Sequence, residues 1–522
     1  MRSLMKPGLR KFFLTRLNKL SPLFEKFSGT SLFSLIFFLS LFLFIFSFNY
    51  TLPRDPDLGW HLRYGEEIIK SRTIPVNDFF SHSFYGQSIT DTEWLTDVIS
   101  FSLFSQWPFL RFALFFGFLT TFAFFIPAIF LPGSFFGKFS LITWALLGSM
   151  SVIEIGGRPQ NISWVLFSLT VVILIKYSES KKFRYLYILP PIFLVWANVH
   201  PGFFLGLFLL VVFLCLELIF SLPRLAGMKK KILVFALILV FAFGFANIRP
   251  HAGQFEGLLP FELIKAFLLP VNIATQTSFK GEVRTSINEW LPPTFLDLSG
   301  VLFFLGIIFS IAIFIIKPIS KKNVKYLVLL PIFIYFSTLS MRNKPFFFLI
   351  FIPAMIVVLK DYLRARKLKP FLPFLNFLAV VVMLVISIPK ITANTRTILN
   401  AGSSVTSPSY CQLMNYPCKA IESIKKEKPF GKMFNGYNWG GFLIWELREY
   451  PVFIDGRVPE EPIFTEYQTV TDLKEGWEKV LEKYDISWIL YHRNPLFEDF
   501  LKRDGKWREI YADEISVILV KK

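Results

Sequence analysis

Residues 31–61 read SLFSLIFFLSLFLFIFSFNYTLPRDPDLGWH, an uncharged apolar run from Ser31 to Leu52 that passes directly into Arg54-Asp55-Pro56-Asp57 and ends on His61. A helix needs roughly 20 mostly apolar residues to cross a bilayer, because the hydrocarbon offers no water to exposed backbone groups. The run is that long, so the acidic triplet falls at a membrane surface. Similar runs recur near residues 107–131, 139–155, 160–177, 185–199, 201–221, 231–247, 298–317, 325–340, 345–360 and 371–389. They predict a polytopic α-helical membrane protein with about eleven transmembrane helices. Composition agrees: of 522 residues 53% are hydrophobic and 65 are Phe, too apolar for a soluble chain.

Basic residues sort the loops. They crowd the N-terminal segment 1–30 and then alternate loops, at Lys181, Lys182 and Arg184, at Arg224 and Lys229 to Lys231, at Lys317, Lys321, Lys322 and Lys325, and from Lys360 to Lys369. Lys and Arg hold such loops in the cytoplasm, which predicts a cytoplasmic (inner) membrane protein with its N-terminus inside. The net charge of +19 is then topological, and nucleic acid is not an expected partner. The first apolar run is too long for a cleaved signal peptide and reads as an anchor. The chain divides into a basic 1–30 segment, a membrane domain 31–390 with external loops 53–106 and 248–297, and an external domain 391–522. All five histidines, His61, His82, His200, His251 and His492, fall on the external side.

After residue 390 the composition turns mixed and charged. Strand-like stretches at Lys432–Phe434, Pro451–Asp455, Ser487–Tyr491 and Ser516–Val520 alternate with helix-like ones at Gly441–Arg448, Asp472–Lys483 and Pro495–Arg503. This predicts a small α/β domain with a largely parallel sheet. Cys411 and Cys418 both lie there, where a disulfide is permitted but not dictated, while Cys215 falls in a span.

The first external loop holds the densest chemistry. Asp55, Pro56 and Asp57 suit a helix start, with Asp55 as cap, and Leu58, Leu62, Ile68 and Ile69 near helical spacing suggest a short amphipathic helix in the interface with Trp60 and Tyr64 at headgroup level. Capping explains one Asp; it leaves His61, one turn beyond Asp57, and the cluster Asp91, Glu93 and Asp97 unexplained. Two carboxylates and a histidine can deprotonate a hydroxyl or hold a divalent cation, so Asp55, Asp57 and His61 are also a candidate metal set for Mg or Mn. Arg158, Arg342 and Lys344 are exceptions to the inside rule for basic residues. Cations facing an acidic loop suit a phosphate-bearing lipid. His200 closes a hairpin with Pro201-Gly202, and loop 248–297, with Arg249, His251 and Glu289-Trp290, reads equally as a lid or as interfacial packing.

The stretch Asp55 to Glu66, with Pro75-Val76-Asn77-Asp78, Glu93-Trp94-Leu95, Arg158-Pro159-Gln160, Trp196-Ala197-Asn198-Val199-His200, Glu289-Trp290, Asn438 to Leu443 and Val452 to Arg457, resembles an uncharacterised prokaryotic branch of the C-type superfamily of polyprenyl-phosphate-sugar glycosyltransferases. Gly59 stands where that branch often has Trp, and Pro201 where a Gly commonly follows the histidine. The resemblance implies transfer of a sugar from a polyprenyl-phosphate donor to a glycan, lipid or protein acceptor on the extracytoplasmic face, in building the cell envelope. It implies Asp57 or Asp55 as general base with inversion, and Arg158, His200 and Arg342 as ligands of the leaving lipid phosphate. His61, Glu93 and Glu289 are further candidates, and some branches use a metal ion. Two other readings stand beside it: a non-catalytic membrane scaffold or receptor that uses its tail to bind a partner, and a transporter, disfavoured by the absence of a repeat and of mid-span polar groups.

Overall fold

The computed structural model describes residues 26, 29–89, 92–104, 108–220, 228–248, 288–316, 324–363, 371–457, 462–503 and 505–522. The N-terminal basic segment up to residue 25, Asp91, and most of the second large loop with Arg249 and His251 lie outside the described residues.

A helix stands at each of the eleven predicted spans: α1 (Ser31–Asn49), then, after α2 (Leu58–Ser71) and α3 (Trp94–Leu103) of the first loop, α4 (Pro108–Phe130), α5 (Phe135–Gly148), α6 (Pro159–Ser180), α7 (Leu189–Val199), α8 (Phe203–Ile219), α9 (Met228–Ala246), α10 (Leu298–Ile316), α11 (Val324–Leu339), α12 (Lys344–Leu363) and α13 (Leu372–Asn400). Among the described residues only six, α1, α4, α6, α10, α12 and α13, are long and apolar enough by themselves to cross a membrane. The others are shorter or carry charge at their ends. The chain is an integral membrane protein.

Burial separates the helices by role. Every residue from Phe346 to Ile352 of α12 is buried, as expected of a helix apolar on all sides at the centre of a bundle. Ile308, Ile311 and Ile315 of α10 and Val385 and Ile388 of α13 are instead exposed, on surfaces suited to lipid. Helix α13 runs unbroken through residue 390 to Asn400, carrying the chain out of the bundle and into the tail.

The tail begins with α14 (Pro408–Met414) and α15 (Cys418–Glu427), joined by a Cys411–Cys418 disulfide. There follow β1 (Lys432–Asn435), α16 (Gly440–Glu446), α17 (Ile463–Thr471), α18 (Trp477–Lys483), β2 (Ile486–His492), α19 (Pro495–Arg503), β3 (Trp507–Ala512) and β4 (Ser516–Lys521). The sheet order is β1-β2-β4-β3, with β1 and β2 parallel and the other two pairs antiparallel. It is therefore mixed and not largely parallel, because the chain returns from β3 to β4 by a tight hairpin. Pro451–Asp455 is no strand of this sheet. Its backbone pairs with the first loop, Val452 N–H donating to Phe80 O and His82 N–H to Val452 O, and with the buried amide of Asn435. Asn435 Oδ1 accepts from Phe453 N–H at 2.7 Å and its Nδ2 donates to Ile454 O at 2.9 Å, a side chain replacing a strand neighbour. Of the predicted Asp472–Lys483 helix only α18 forms; residues 472–476 are instead a turn after α17, with Leu473 and Gly476 at positive φ.

Helix α2 does not lie open in the interface. It is packed between α3 and α16, and Tyr64 is 1% exposed. Glycine permits the approach: a Cβ on Gly59 would fall 2.1 Å from Gly441 O, and one on Gly65 2.1 Å from Asp97 O.

Replacing Asn435 with Ala orphans the buried amides and carbonyl it serves. The expected cost is on the order of 3 kcal/mol, read as a lowered unfolding midpoint and as faster hydrogen exchange at Phe453 and Ile454.

Candidate active site at the rim of the bundle

The two carboxylates of the triplet have different fates. Asp55 accepts the Asp57 N–H at 3.1 Å, but its main partner is Arg158, whose Nη2 lies 2.8 Å from Oδ1 and Nε 2.7 Å from Oδ2. Burial alone raises the Asp55 pKa; the Arg158 guanidinium outweighs it and holds the carboxyl below its usual range. Asp57 occupies the N-cap position of α2 without a side-chain cap bond, so the capping role expected of Asp55 is only partly taken up by either residue. Among the described residues Asp57 has no ion-pair partner. Burial, and then the neighbouring Asp55 charge, push its pKa up to about 6.

Arg158 is the N-cap residue of α6, where the 156–158 turn ends and Pro159 starts the helix. Its Nη1 reaches both oxygens of Glu289, at 2.7 and 2.5 Å. The guanidinium thus joins three segments distant in sequence, and burial is overridden by Asp55 and Glu289, which raise its pKa. The structure brings Arg158 to the site but commits its donors to carboxylates, leaving it a clamp rather than an open phosphate ligand.

A second chain of groups lies behind the triplet. His61 Nδ1 is 2.6 Å from Asp97 Oδ1, with Asp97 fully buried, and His61 Nε2 is 3.8 Å from Glu93 Oε2. The other Glu93 oxygen is 3.4 Å from His200 Nε2. Gly202 N–H donates to His200 Nδ1 at 2.8 Å, so that nitrogen is unprotonated and the proton of the neutral ring sits on Nε2, facing Glu93. Burial, followed by Arg342, His61 and Arg158, keeps His200 well below its ordinary pKa. A neutral ring is a donor to an anion, not a counter-charge.

The cationic side is left to Arg342 and Lys344. Arg342 Nε donates to Gln160 Oε1 at 2.6 Å, and no carboxylate pairs with it among the described residues. Lys344 is 2% exposed, and its Nζ donates to Ser151 and Ser299, each at 2.7 Å.

The tail forms one wall. A Cβ on Gly456 would meet Asp57 Oδ1 at 2.0 Å, and one on Gly441 would meet Pro56 O at 2.5 Å, so both turns lie with bare backbone against the triplet. Arg457 clamps the turn, its Nη2 2.8 Å from Asp455 and its Nη1 2.9 Å from Asp78. His82 and His492 have other partners: His82 Nε2 is 2.8 Å from Met433 O, and His492 packs against Trp439 with centroids 3.8 Å apart and the rings tilted by 40°.

The metal set Asp55, Asp57 and His61 does not fit. Asp55 is occupied on both oxygens by a fixed guanidinium and His61 Nδ1 by Asp97; no group of three His, Cys, Asp or Glu among the described residues is arranged to hold a metal ion. Sequence reasoning listed the right neighbourhood but left three positions unassigned. Asp97 was visible as a carboxylate one turn after Glu93; Lys344 as a basic exception; Gly456 carried no signal beyond its place in Asp-Gly-Arg.

No protein-family model matches the chain, and no curated protein matches it. Among solved structures, the chain is similar to ArnT from Cupriavidus metallidurans bound to undecaprenyl phosphate, at 13% identity and a TM-score of 0.46 over 94% of this chain and 98% of that one. It is also similar to the archaeal oligosaccharyltransferase AglB from Archaeoglobus fulgidus in complex with an inhibitory peptide and a dolichol-phosphate, at 12% identity and a TM-score of 0.46 over 89% of this chain and 70% of that one.

Proposed function

We propose that this protein is an inverting membrane glycosyltransferase that moves a sugar from a polyprenyl-phosphate donor to an acceptor hydroxyl on the extracytoplasmic face of the cytoplasmic membrane. In this reading all eleven helices cross or line the bilayer, the N-terminus is inside, and the 391–522 domain stands outside over the site. One observation carries the reading. In a cluster where Asp55, Arg158 and Glu289 pair with one another, one base, Asp57, and two cations, Arg342 and Lys344, have no ion-pair partner among the described residues.

The chemistry follows from that surplus. Asp57 takes the proton of the acceptor hydroxyl as its oxygen bonds to the anomeric carbon, while the bond from that carbon to the lipid phosphate breaks and its electron pair passes to the phosphate oxygen. A carboxylate with a pKa near 6 is ionised at neutral pH yet basic enough to accept a proton. Arg342 meets the charge developing on the phosphate, with Lys344 and the His200 Nε2–H as further donors. Asp55, Arg158 and Glu289 position the triplet and touch no reacting atom. Direct displacement inverts the anomeric centre.

Asp57→Asn is expected to lower kcat about 10²–10⁴-fold, the range for loss of a general base, in an assay of sugar transfer from a lipid-linked donor. In the parent protein kcat/KM rises tenfold per pH unit below about 6 and levels off above, because the base must be deprotonated. That limb disappears in the variant. Transfer unaltered by the substitution sinks the reading and leaves the scaffold.

Arg342→Ala is expected to lower kcat about 10²-fold or more, in line with loss of one oxyanion donor, with Arg342→Lys recovering part of it. Gly456→Ala tests the wall: it cuts kcat in the parent but adds nothing in the Asp57→Asn background, if its effect passes through that carboxylate.

A further inference from the structure

Three side chains at the start of α6 each hold a different part of the site, by different chemistry. Arg158, the N-cap residue, is tied to the carboxylates of Asp55 and Glu289. Gln160 in the first turn and Ser163, three residues on and so on the same side of the helix, bond no carboxylate among the described residues.

Gln160 is 2% exposed, and its Oε1 accepts from Arg342 Nε at 2.6 Å. A guanidinium can only donate, so the amide turns its oxygen toward Arg342 and its nitrogen away. That nitrogen is buried and makes no hydrogen bond among the described residues. A buried donor without a partner is destabilising. Glutamate has the same shape, can meet a guanidinium with both oxygens and strands no N–H. What the amide has instead is no charge. It fixes the Nε side of Arg342 and leaves the positive charge uncompensated, whereas Arg158, two residues earlier, meets two carboxylates. Lys344 shows the same pattern, held by the hydroxyls of Ser151 and Ser299.

Ser163 treats His200 in the same way. It is fully buried; Trp196 Nε1–H donates to its Oγ at 2.6 Å, and Oγ lies 2.8 Å from His200 Nδ1. Gly202 N–H also donates to that nitrogen, so Nδ1 has no proton and the serine hydroxyl is the donor. Protons therefore point one way, from Trp196 to Ser163 and from Ser163 to His200. A Cβ on Gly202 would fall 2.7 Å from Ser163 Oγ and 2.8 Å from His200 Nδ1, so the chain closes tightly around this contact. The contrast is His61, whose Nδ1 faces the Asp97 carboxylate at 2.6 Å. A carboxylate there favours the charged ring; a hydroxyl holds the neutral one, with its proton on Nε2.

We propose that Gln160 and Ser163 are positioning residues that hold Arg342 and His200 for the departing lipid phosphate through neutral contacts, so that the arginine keeps its charge and the histidine its Nε2 proton. The inference rests on the phosphate role proposed for those two donors. It adds the reason that α6 presents an amide and a hydroxyl where it could present acids: an anionic holder would compete with the anion to be bound.

The test compares Gln160→Glu with Gln160→Ala in the full-length protein in detergent, reading affinity for polyprenyl phosphate, kcat of sugar transfer and the unfolding midpoint. Glu keeps the acceptor and adds a charge. The midpoint is expected to hold or rise while affinity and kcat each fall on the order of tenfold, less than the about 10²-fold for loss of Arg342 itself. Ala is expected to lower the midpoint and to cost less affinity than Glu. A purely structural glutamine gives the reverse order, Glu nearer the parent than Ala in every readout, and overturns the assignment. Should Gln160→Glu fail to fold, Gln160→Ala decides: its loss of kcat is absent in an Arg342→Ala background, and a loss that adds to that of Arg342→Ala refutes the role. Ser163→Ala is expected to lower kcat in the parent and not in His200→Ala; additive losses remove Ser163. Polyprenyl phosphate binding needs no transfer, which separates the two readings. Unchanged affinity in Arg342→Ala removes the phosphate role of Arg342 and this inference with it, whereas affinity lost in Arg342→Ala but indifferent to both Gln160 variants removes only the role of Gln160.

Discussion

One guanidinium shared between two carboxylates organises the rim of the helical bundle. Arg158 sits at the start of α6, Asp55 at the end of the first span's exit, and Glu289 before α10, and the contacts of 2.5–2.8 Å tie these three segments into one rigid corner. Two acids against one base leave the corner negative. A third carboxylate placed beside it, Asp57, has no ion-pair partner among the described residues, and burial and then the Asp55 charge make it a stronger base. Removing the clamp would strand buried charge on both sides, which is why such a contact contributes more to geometry than to net stability.

The corner also sets what the neighbouring cations can do. Arg158 is committed to two carboxylates, whereas Arg342 and Lys344, at the turn into α12, have amide and hydroxyl partners and no carboxylate among the described residues. His200 is poised differently: its Nδ1 is filled by Gly202 N–H, so its remaining proton faces Glu93. Acid, base and donor are distributed over loops from distant parts of the chain. The bundle brings them together because helix ends from distant parts of the chain meet at one rim.

The tail is more than an appended module in this arrangement. Gly441 and Gly456 put bare backbone against the triplet, and Asn435 holds the 452–454 segment that carries Gly456 into place. Burial of Asp57 therefore depends on a domain some 400 residues later in the chain. The mixed sheet, with its antiparallel β2-β4-β3 portion, serves as the platform behind that turn.

The sequence by itself determined the membrane class, the place of the apolar helices and the cluster of charged residues in the loops between them, because hydrocarbon solubility and helix length act on local composition. It also named Asp57, Arg342, His61, Glu93 and Glu289 as members of that cluster. Which carboxylate is paired and which is left over was decided by the tertiary structure, since an ion pair between residues 55 and 158 leaves no trace in local periodicity. The same holds for the metal set: two of its three candidate ligands close in sequence, Asp55 and His61, are held by partners from elsewhere, Arg158 and Asp97. The strand expected at 451–455 was lost to a side-chain amide and a loop, and the wall of glycines against Asp57 formed only because absence of a Cβ matters solely where another backbone comes within reach.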